Sequence, residues 1–250
     1  MELSVIIPMH NEGANALPCI RRVLRACGKI TPSFELILAE DGSTDGTHEA
    51  IKSAARRSKK IRIMHSAKKL GRGRALARAL RSAKGKISAY MDADLASSLE
   101  RLPQLIASIR DGADVATGSR LKQGARTKRS IKREAASRGY NFLVRSVLGS
   151  RLHDHQCGFK AFSTKKILPL LGEIEDTHWF WDTELLVRAQ RKGWRVDEIP
   201  VEWEEAKGTT VHFKRDALYM GGKILSLRKR LKHEKRPTQG LKYAVLKRNA

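Results

Sequence analysis

The chain has 250 residues, 41% of them hydrophobic, enough to bury a large core and to exclude a wholly disordered polypeptide. Its 50 Lys and Arg against 26 Asp and Glu leave a formal charge of +24, which points to a polyanionic partner: nucleic acid, an anionic membrane or a phosphorylated substrate. The cysteines, Cys19, Cys27 and Cys157, lack zinc-site or disulfide spacing and read as reduced thiols of a cytosolic protein.

The N-terminus runs straight into an apolar segment without a signal-peptide pattern. No apolar run reaches the roughly 18 to 20 residues that span a bilayer, so a soluble or peripheral protein is expected. The first half alternates in period. Strands are predicted at 3–8, 34–39, 61–65, 87–92 and 114–118, and helices at 16–27, 47–58, 72–83 and 103–110. Such alternation implies an α/β fold, a single mostly parallel sheet with helices on both faces. Residues 120–138 are dense in Lys and Arg and read as a loop leading into a helix that ends near Gly149. A compact second half follows, with a helix over 181–192 and a strand over 194–203. From 214 the pattern is basic and helical, ending in a charged tail.

Two acidic turns stand out. The apolar run 87–91 ends in Asp92, Ala93 and Asp94, and the run 36–39 ends in Glu40, Asp41 and Gly42 ahead of Ser43, Thr44 and Asp45. Asp41 taken alone is ordinary turn chemistry. A strand-end Asp-x-Asp is harder to explain by packing, because unpaired buried carboxylates are costly and paired acids offer oxygen ligands to Mg²⁺ or Mn²⁺. Ligands of open α/β sheets bind at such strand ends.

In order along the chain, Val5 to Pro8 with His10, Asn11 and Glu12, the turn from Asp41 to Thr47, Gly71-x-Gly73 and Asp92-Ala93-Asp94 resemble family 2 glycosyltransferases of the GT-A fold. Gly118-Ser119-Arg120, Arg133 with Ser137 and Arg138, Gln156 to Lys160, Trp179 to Leu186 and Glu198 to Trp203 look like the subgroup that makes dolichyl-phosphate sugars, whose catalytic domain works at a membrane surface. The resemblance covers residues 1–213, as a nucleotide-sugar-binding half (1–119) and an acceptor half (120–213), with 214–250 as a basic amphipathic helix and tail. It implies inverting transfer of a hexose from a nucleotide sugar to a polyprenyl phosphate. UDP-glucose is favoured as donor over GDP-mannose, and Mg²⁺ or Mn²⁺ is the cofactor.

By the same resemblance, Pro8, His10, Glu12 and Asp41 line the base and ribose pocket. Asp92 and Ala93 contact the nucleotide, Asp92 and Asp94 hold the metal, and Arg120, Arg133 and Ser137 receive the acceptor phosphate. Asp94, Arg120 and Asp182 are the catalytic candidates. Asp182 is either a contact to sugar hydroxyls or, more plainly, a helix N-cap or an ion pair with Arg188. Departures are Ala96 where mannose-type members often carry Gln, and Gly208-Thr209-Thr210 in place of a Ser-Lys pair, with Lys207, Lys214 or Arg215 as substitutes for the missing cation.

The residue types suit this chemistry. A phosphate monoester is largely dianionic at neutral pH and needs orienting charge more than a base, and arginine's fork binds phosphate oxygens bidentately. His153 and His155 are too sparse a pair for a metal site, and Trp181 and Trp203 read as core. Leu218, Ile224, Leu225 and Leu231 among basic residues suggest docking on an anionic membrane at its cytoplasmic face, with packing on the enzyme itself as the alternative. A separate membrane-anchor partner also fits. A nucleic-acid-binding protein would explain the charge but has no use for strand-end carboxylates, so no nucleic acid is expected. A membrane-surface module without catalysis leaves the acids equally unexplained.

Overall fold

A computed structural model describes residues 1–204 and 213–234, with side chains in the last helix described from 218 onward. Lys207, Gly208, Thr209 and Thr210, and the side chains of Lys214 and Arg215, lie outside the described residues, as does the tail from 235. The elements in chain order are β1 (Leu3–Met9), α1 (Gly13–Ile30), β2 (Phe34–Glu40), α2 (Thr47–Arg57), β3 (Ile61–Met64), α3 (Arg72–Ser82), β4 (Ile87–Met91), α4 (Leu102–Arg110) and β5 (Val115–Ser119). Then follow β6 (Arg126–Lys128), α5 (Ile131–Leu148), β7 (Phe159–Ser163), α6 (Thr164–Leu170), α7 (Trp181–Arg191), β8 (Val196–Pro200), β9 (Glu202–Glu204) and α8 (Phe213–His233).

Strands β1, β2 and β4 are buried almost residue for residue, the mark of a sheet covered on both faces. The two-residue period of the strands divides the interior. Leu3, Val5, Ile7 and Met9 face a core shared with α1, α2 and α4, whereas Ile6, Ile37 and Tyr90 face one shared with α3, α6 and α7. Cys19 and Cys27 sit in the first core, where burial pushes both thiols up to about 12, so they are packing residues.

The sheet has 7 strands in the order β3-β2-β1-β4-β7-β5-β8. β7 alone runs antiparallel to its neighbours; every other pairing in this sheet is parallel. The carboxyl ends of β1, β2, β4 and β5 therefore lie along one edge, the edge that receives His10, Asp41, Asp92 and Arg120.

The structure corrects three expectations. Residues 126–128 form β6, paired with β9, where a loop was expected. The strand expected over 194–203 breaks after Pro200, which has no N–H for a ladder; β8 stays in the main sheet and β9 joins β6. The basic helix is not an appendage beyond a boundary at 213: Met220, Ile224, Leu227 and Leu231 bury against Val144, Phe180 and Val187. Lys223 pairs with Asp176 and Arg230 with Glu184, each at 2.9 Å, and Arg188 holds Glu234 at 2.9 Å. Ile224 and Leu231 are thus core residues, while Leu218 and Leu225 stay 80% and 62% exposed.

Candidate active site

Asp92, Ala93 and Asp94 continue directly from β4 at the carboxyl edge. Room for Asp92 depends on Gly158, where a Cβ would lie 1.8 Å from Asp92 Oδ2. The turn is strained: Leu95 has φ of +50°, a region that side chains other than Asn, Asp and Gly seldom adopt and that concentrates at functional sites. Asp94 Oδ1 accepts the Ala96 N–H at 3.0 Å. Burial and the Asp92 charge together hold the Asp94 carboxyl above its ordinary range, and burial with the Asp94 and Asp92 charges does the same to Glu12. The Asp92 and Asp94 carboxylates leave the end of one strand one residue apart, with Asp94 feeling the charge of Asp92, and their oxygen donors are of the type that suits Mg²⁺ or Mn²⁺. Asp92 and Asp94 would hold the ion.

Beneath them lies a buried charge network that sequence reasoning missed. Arg72, the middle residue of Gly71-x-Gly73, donates from Nε and Nη2 to Asp92 Oδ1 at 3.1 and 2.7 Å and from Nη1 to Asp182 Oδ2 at 2.7 Å. Asp182 also accepts from the Tyr90 hydroxyl and sits 3.1 Å from the wholly buried Lys160 Nζ. Burial pushes Asp182 up and Lys160 down to about 8, whereas Arg72, although buried, is held charged by Asp92 and Asp182. The expected roles of Asp182 are corrected here. At 2% exposure it does not open to a sugar, its partner is Arg72, and Arg188 pairs with Glu184 and Glu234 instead. The signal was the glycine pair itself: a Cβ at Gly73 would come 2.6 Å from Trp181 Cβ, so α3 can approach α7 closely enough for Arg72 to reach Asp182. Trp181 is core, as expected, but Trp179 is 64% exposed with the Arg72 guanidinium 5.5 Å from its ring.

Among the residues expected to line the nucleoside, Pro8 lies in register with Ala39, two residues before Asp41. His10 Nδ1 meets the Asp41 carbonyl at 2.8 Å. The Asp41 carboxylate is taken up by backbone, accepting from Leu70 N–H at 2.6 Å and Gly71 N–H at 2.9 Å, so it fixes the start of α3. Glu12 accepts from Asn15 at 3.1 Å.

Among the residues expected to receive the acceptor phosphate, Arg120 follows β5 and grips Asp154 with Nε and Nη2 at 2.7 and 2.9 Å. Although burial opposes it, Arg120 drives the Asp154 carboxyl far below the usual carboxylate range. Arg133, Ser137 and Asn141 follow one another at four-residue intervals along one face of α5. Asn141 Oδ1 accepts the His155 N–H at 2.9 Å, which sets this face beside Asp154 and Arg120. Ser137 Oγ is buried and has no hydrogen-bond partner among the described residues. Arg133 is half-buried and already engaged. His153 pairs with Glu198 and His155 with Ser150 and Asn141, so the two do not converge on a metal.

Comparisons with known proteins bear on the family and fold of the chain. Residues 4–168 match the family described as Glycosyl transferase family 2. Glycosyltransferase AglD of Haloferax volcanii is 46% identical over 228 residues, 90% of this chain but only 36% of that relative's length. The dolichyl-phosphate beta-glucosyltransferase of Saccharomyces cerevisiae is 30% identical over 247 residues, 90% of this chain and 74% of the relative. Glucosyl-3-phosphoglycerate synthase from Mycobacterium tuberculosis, solved with Mn²⁺, UDP and glucosyl-3-phosphoglycerate, shares the fold at TM-score 0.64 and 18% identity, over 90% of this chain and 78% of that one. Mannosyltransferase PcManGT from Pyrobaculum calidifontis, solved with GDP-Man and Mn²⁺, does so at 0.62 and 20%, over 94% and 66%. The strand-end acids, their glycine supports and the matched span together make this chain a member of glycosyltransferase family 2, built on the GT-A fold.

Proposed function

We propose that the protein transfers a hexose, with inversion, from a nucleotide sugar to the phosphate of a polyprenyl lipid. Glucose from UDP-glucose is the first choice and mannose from GDP-mannose the second. The observation that carries this reading is that the Asp92 and Asp94 pair and Arg120 share one sheet edge, with Asn141 on the Ser137 face of α5 bonded to His155 beside Asp154, the partner of Arg120. The yeast relative's name, a dolichyl-phosphate beta-glucosyltransferase, supports the lipid phosphate as acceptor and glucose as the sugar.

The lipid phosphate oxygen attacks the anomeric carbon, and the bond from that carbon to the nucleoside diphosphate breaks. A phosphate dianion needs no strong base, so the protein's task is to orient it through Arg120, Arg133 and Ser137. Mg²⁺ or Mn²⁺ on Asp92 and Asp94 would offset the charge that grows on the leaving diphosphate. Pro8, His10, Glu12, Asp41 and Ala93 border the nucleoside. Asp182 with Lys160 and Tyr90 keeps Arg72 in place and is a positioning residue. No helix among the described residues is long and apolar enough to cross a membrane, so we assign peripheral contact with an anionic surface, at its cytoplasmic face, to the exposed side of α8.

The test is incubation of labelled UDP-glucose or GDP-mannose with dolichyl phosphate in detergent and Mg²⁺ or Mn²⁺. A lipid-soluble β-linked product with release of nucleoside diphosphate is expected, and Asp94→Ala should abolish it while leaving the circular dichroism unchanged. Release of free sugar alone, or parent-rate transfer by Asp94→Ala, overturns the reading.

A further inference from the structure

Glu40 ends β2, His48 lies in the first turn of α2 and His65 follows β3. Adjacent elements thus bring one carboxylate and two imidazoles together behind the turn that carries Asp41, with a ligand atom of each within 4.8 Å of the other two. The Glu40 side chain is 0% exposed and that of His65 42% exposed, so the cluster is closed on the protein side and open to solvent on the other. Glu40 Oε1 accepts the Ser43 N–H at 2.6 Å, and Oε2 meets His65 Nδ1. Among the described residues no Lys or Arg pairs with Glu40, so a buried carboxylate faces the Ser43 N–H and hydroxyl and one imidazole. Buried carboxylates are normally balanced by a full positive charge. The His48 and His65 rings stack with centroids 3.9 Å apart and planes 20° from parallel, which places their nitrogens side by side next to that carboxylate.

We propose that Glu40, His48 and His65 form a transition-metal site of the Zn²⁺ class, separate from the strand-end acids. Two imidazole nitrogens and one carboxylate oxygen suit Zn²⁺ and its neighbours rather than Mg²⁺, which favours all-oxygen donors such as Asp92 and Asp94. In-plane lone pairs on stacked rings run nearly parallel, so binding turns one ring about its Cβ–Cγ bond and exchanges the His65 to Glu40 hydrogen bond for two bonds to the ion. The exposed edge of His65 gives room for that turn and leaves a fourth position to water. The ion would also brace the nucleotide pocket, because Glu40 holds Ser43, whose hydroxyl accepts the Asn11 N–H at 3.1 Å. The competing state is a His65 imidazolium paired with Glu40 and stacked on His48, with no ion.

Calorimetric titration decides between them. The full chain, stripped with chelator and exchanged into buffer free of transition metals but with excess Mg²⁺, is titrated with Zn²⁺. One Zn²⁺ per chain is expected; His48→Ala and His65→Ala should each weaken it by about tenfold or more, and His153→Ala should leave it unchanged. Co²⁺ should give a ligand-field absorption band that both substitutions remove. His48 has its only described polar or ring contact in the stack, so His48→Ala tests the site even where His65→Ala disturbs folding. Zn²⁺ affinity unaltered in His48→Ala, or no stoichiometric binding by the parent chain, overturns the proposal. Neither readout depends on sugar transfer.

Discussion

Arg72 grips Asp92 through two hydrogen bonds to one oxygen, Nη2 at 2.7 Å and Nε at 3.1 Å, while its remaining fork nitrogen holds Asp182 at 2.7 Å. One guanidinium therefore joins the acid at the end of β4 to the first turn of α7, with Arg72 and Asp182 standing 110 residues apart in sequence. Three fixed hydrogen bonds from a planar group are beyond the single point charge of a lysine.

Replacing Arg72 should separate stability from alignment. Arg72→Met leaves Asp182 buried with a weakened set of partners, and loss of one member of a buried pair typically costs about 3–5 kcal/mol. Arg72→Lys restores charge without the fork, so it should recover much of that stability in urea unfolding and still lose most of kcat. Full recovery of kcat by the lysine variant would mean that charge alone matters.

Much of the fold was legible because periodicity carries it. The nine strands and helices expected up to residue 118 all form, most within a residue or two of their expected ends, since buried parallel strands read as continuous apolar runs. What was not legible depends on pairing across the chain. β7 joins β4 to β5 as an antiparallel insert, and the six residues of β6 and β9 find each other only in three dimensions. The site followed the same division. Asp92 and Asp94 announced themselves by being charged at the end of an apolar run. Arg72 looked like one more cation on a basic helix, because nothing local marks a charge that is satisfied 110 residues away. The fate of Asp182 was hidden for the same reason.

Arg133 separates acceptor from donor. Its place on the Ser137 face of α5 predicts that Arg133→Ala raises the KM for lipid phosphate, since a charge-assisted hydrogen bond contributes about 1.5–3 kcal/mol, or roughly 10- to 150-fold. Nucleotide-sugar affinity, measured by thermal shift with Mn²⁺, should stay within about twofold. Equal losses on both sides would take Arg133 out of the acceptor site.

His155 sets an acid limit on stability. Burial pushes it down to about 3, and it stays neutral between Ser150 and Asn141. The unfolded chain takes up a proton near the ordinary histidine value of about 6.5, so the unfolded state binds more protons between about pH 6.5 and 3, and stability falls as pH drops through that window. The slope is at most about 1.4 kcal/mol per pH unit, or about 2 kcal/mol between pH 6.5 and 5. Asp154, held low by Arg120, adds its loss only below about pH 4. Urea unfolding at pH 7.5, 6 and 5 should show a shallower decline in His155→Gln than in the parent; the same slope in both would assign the acid sensitivity elsewhere.

Membrane docking rests on what α8 leaves outside. Leu218 and Leu225 are seven residues apart on one face with exposed Arg228 and Lys229 near their end, while Ile224, Leu227 and Leu231 point into the protein. An interfacial helix of this kind binds by inserting its apolar side chains and by about 1 kcal/mol per basic residue near an anionic surface. Deleting everything after 213 would expose Val144, Phe180 and Val187 and confound folding with binding. Leu218→Glu with Leu225→Glu avoids this, because both side chains already face solvent and the melting temperature should not change. Co-sedimentation with vesicles containing anionic lipid should fall about tenfold or more in the double variant and weaken for the parent chain as salt rises. If the double variant pellets as well as the parent at every salt concentration, α8 is a structural helix alone and the contact with the lipid lies on another face.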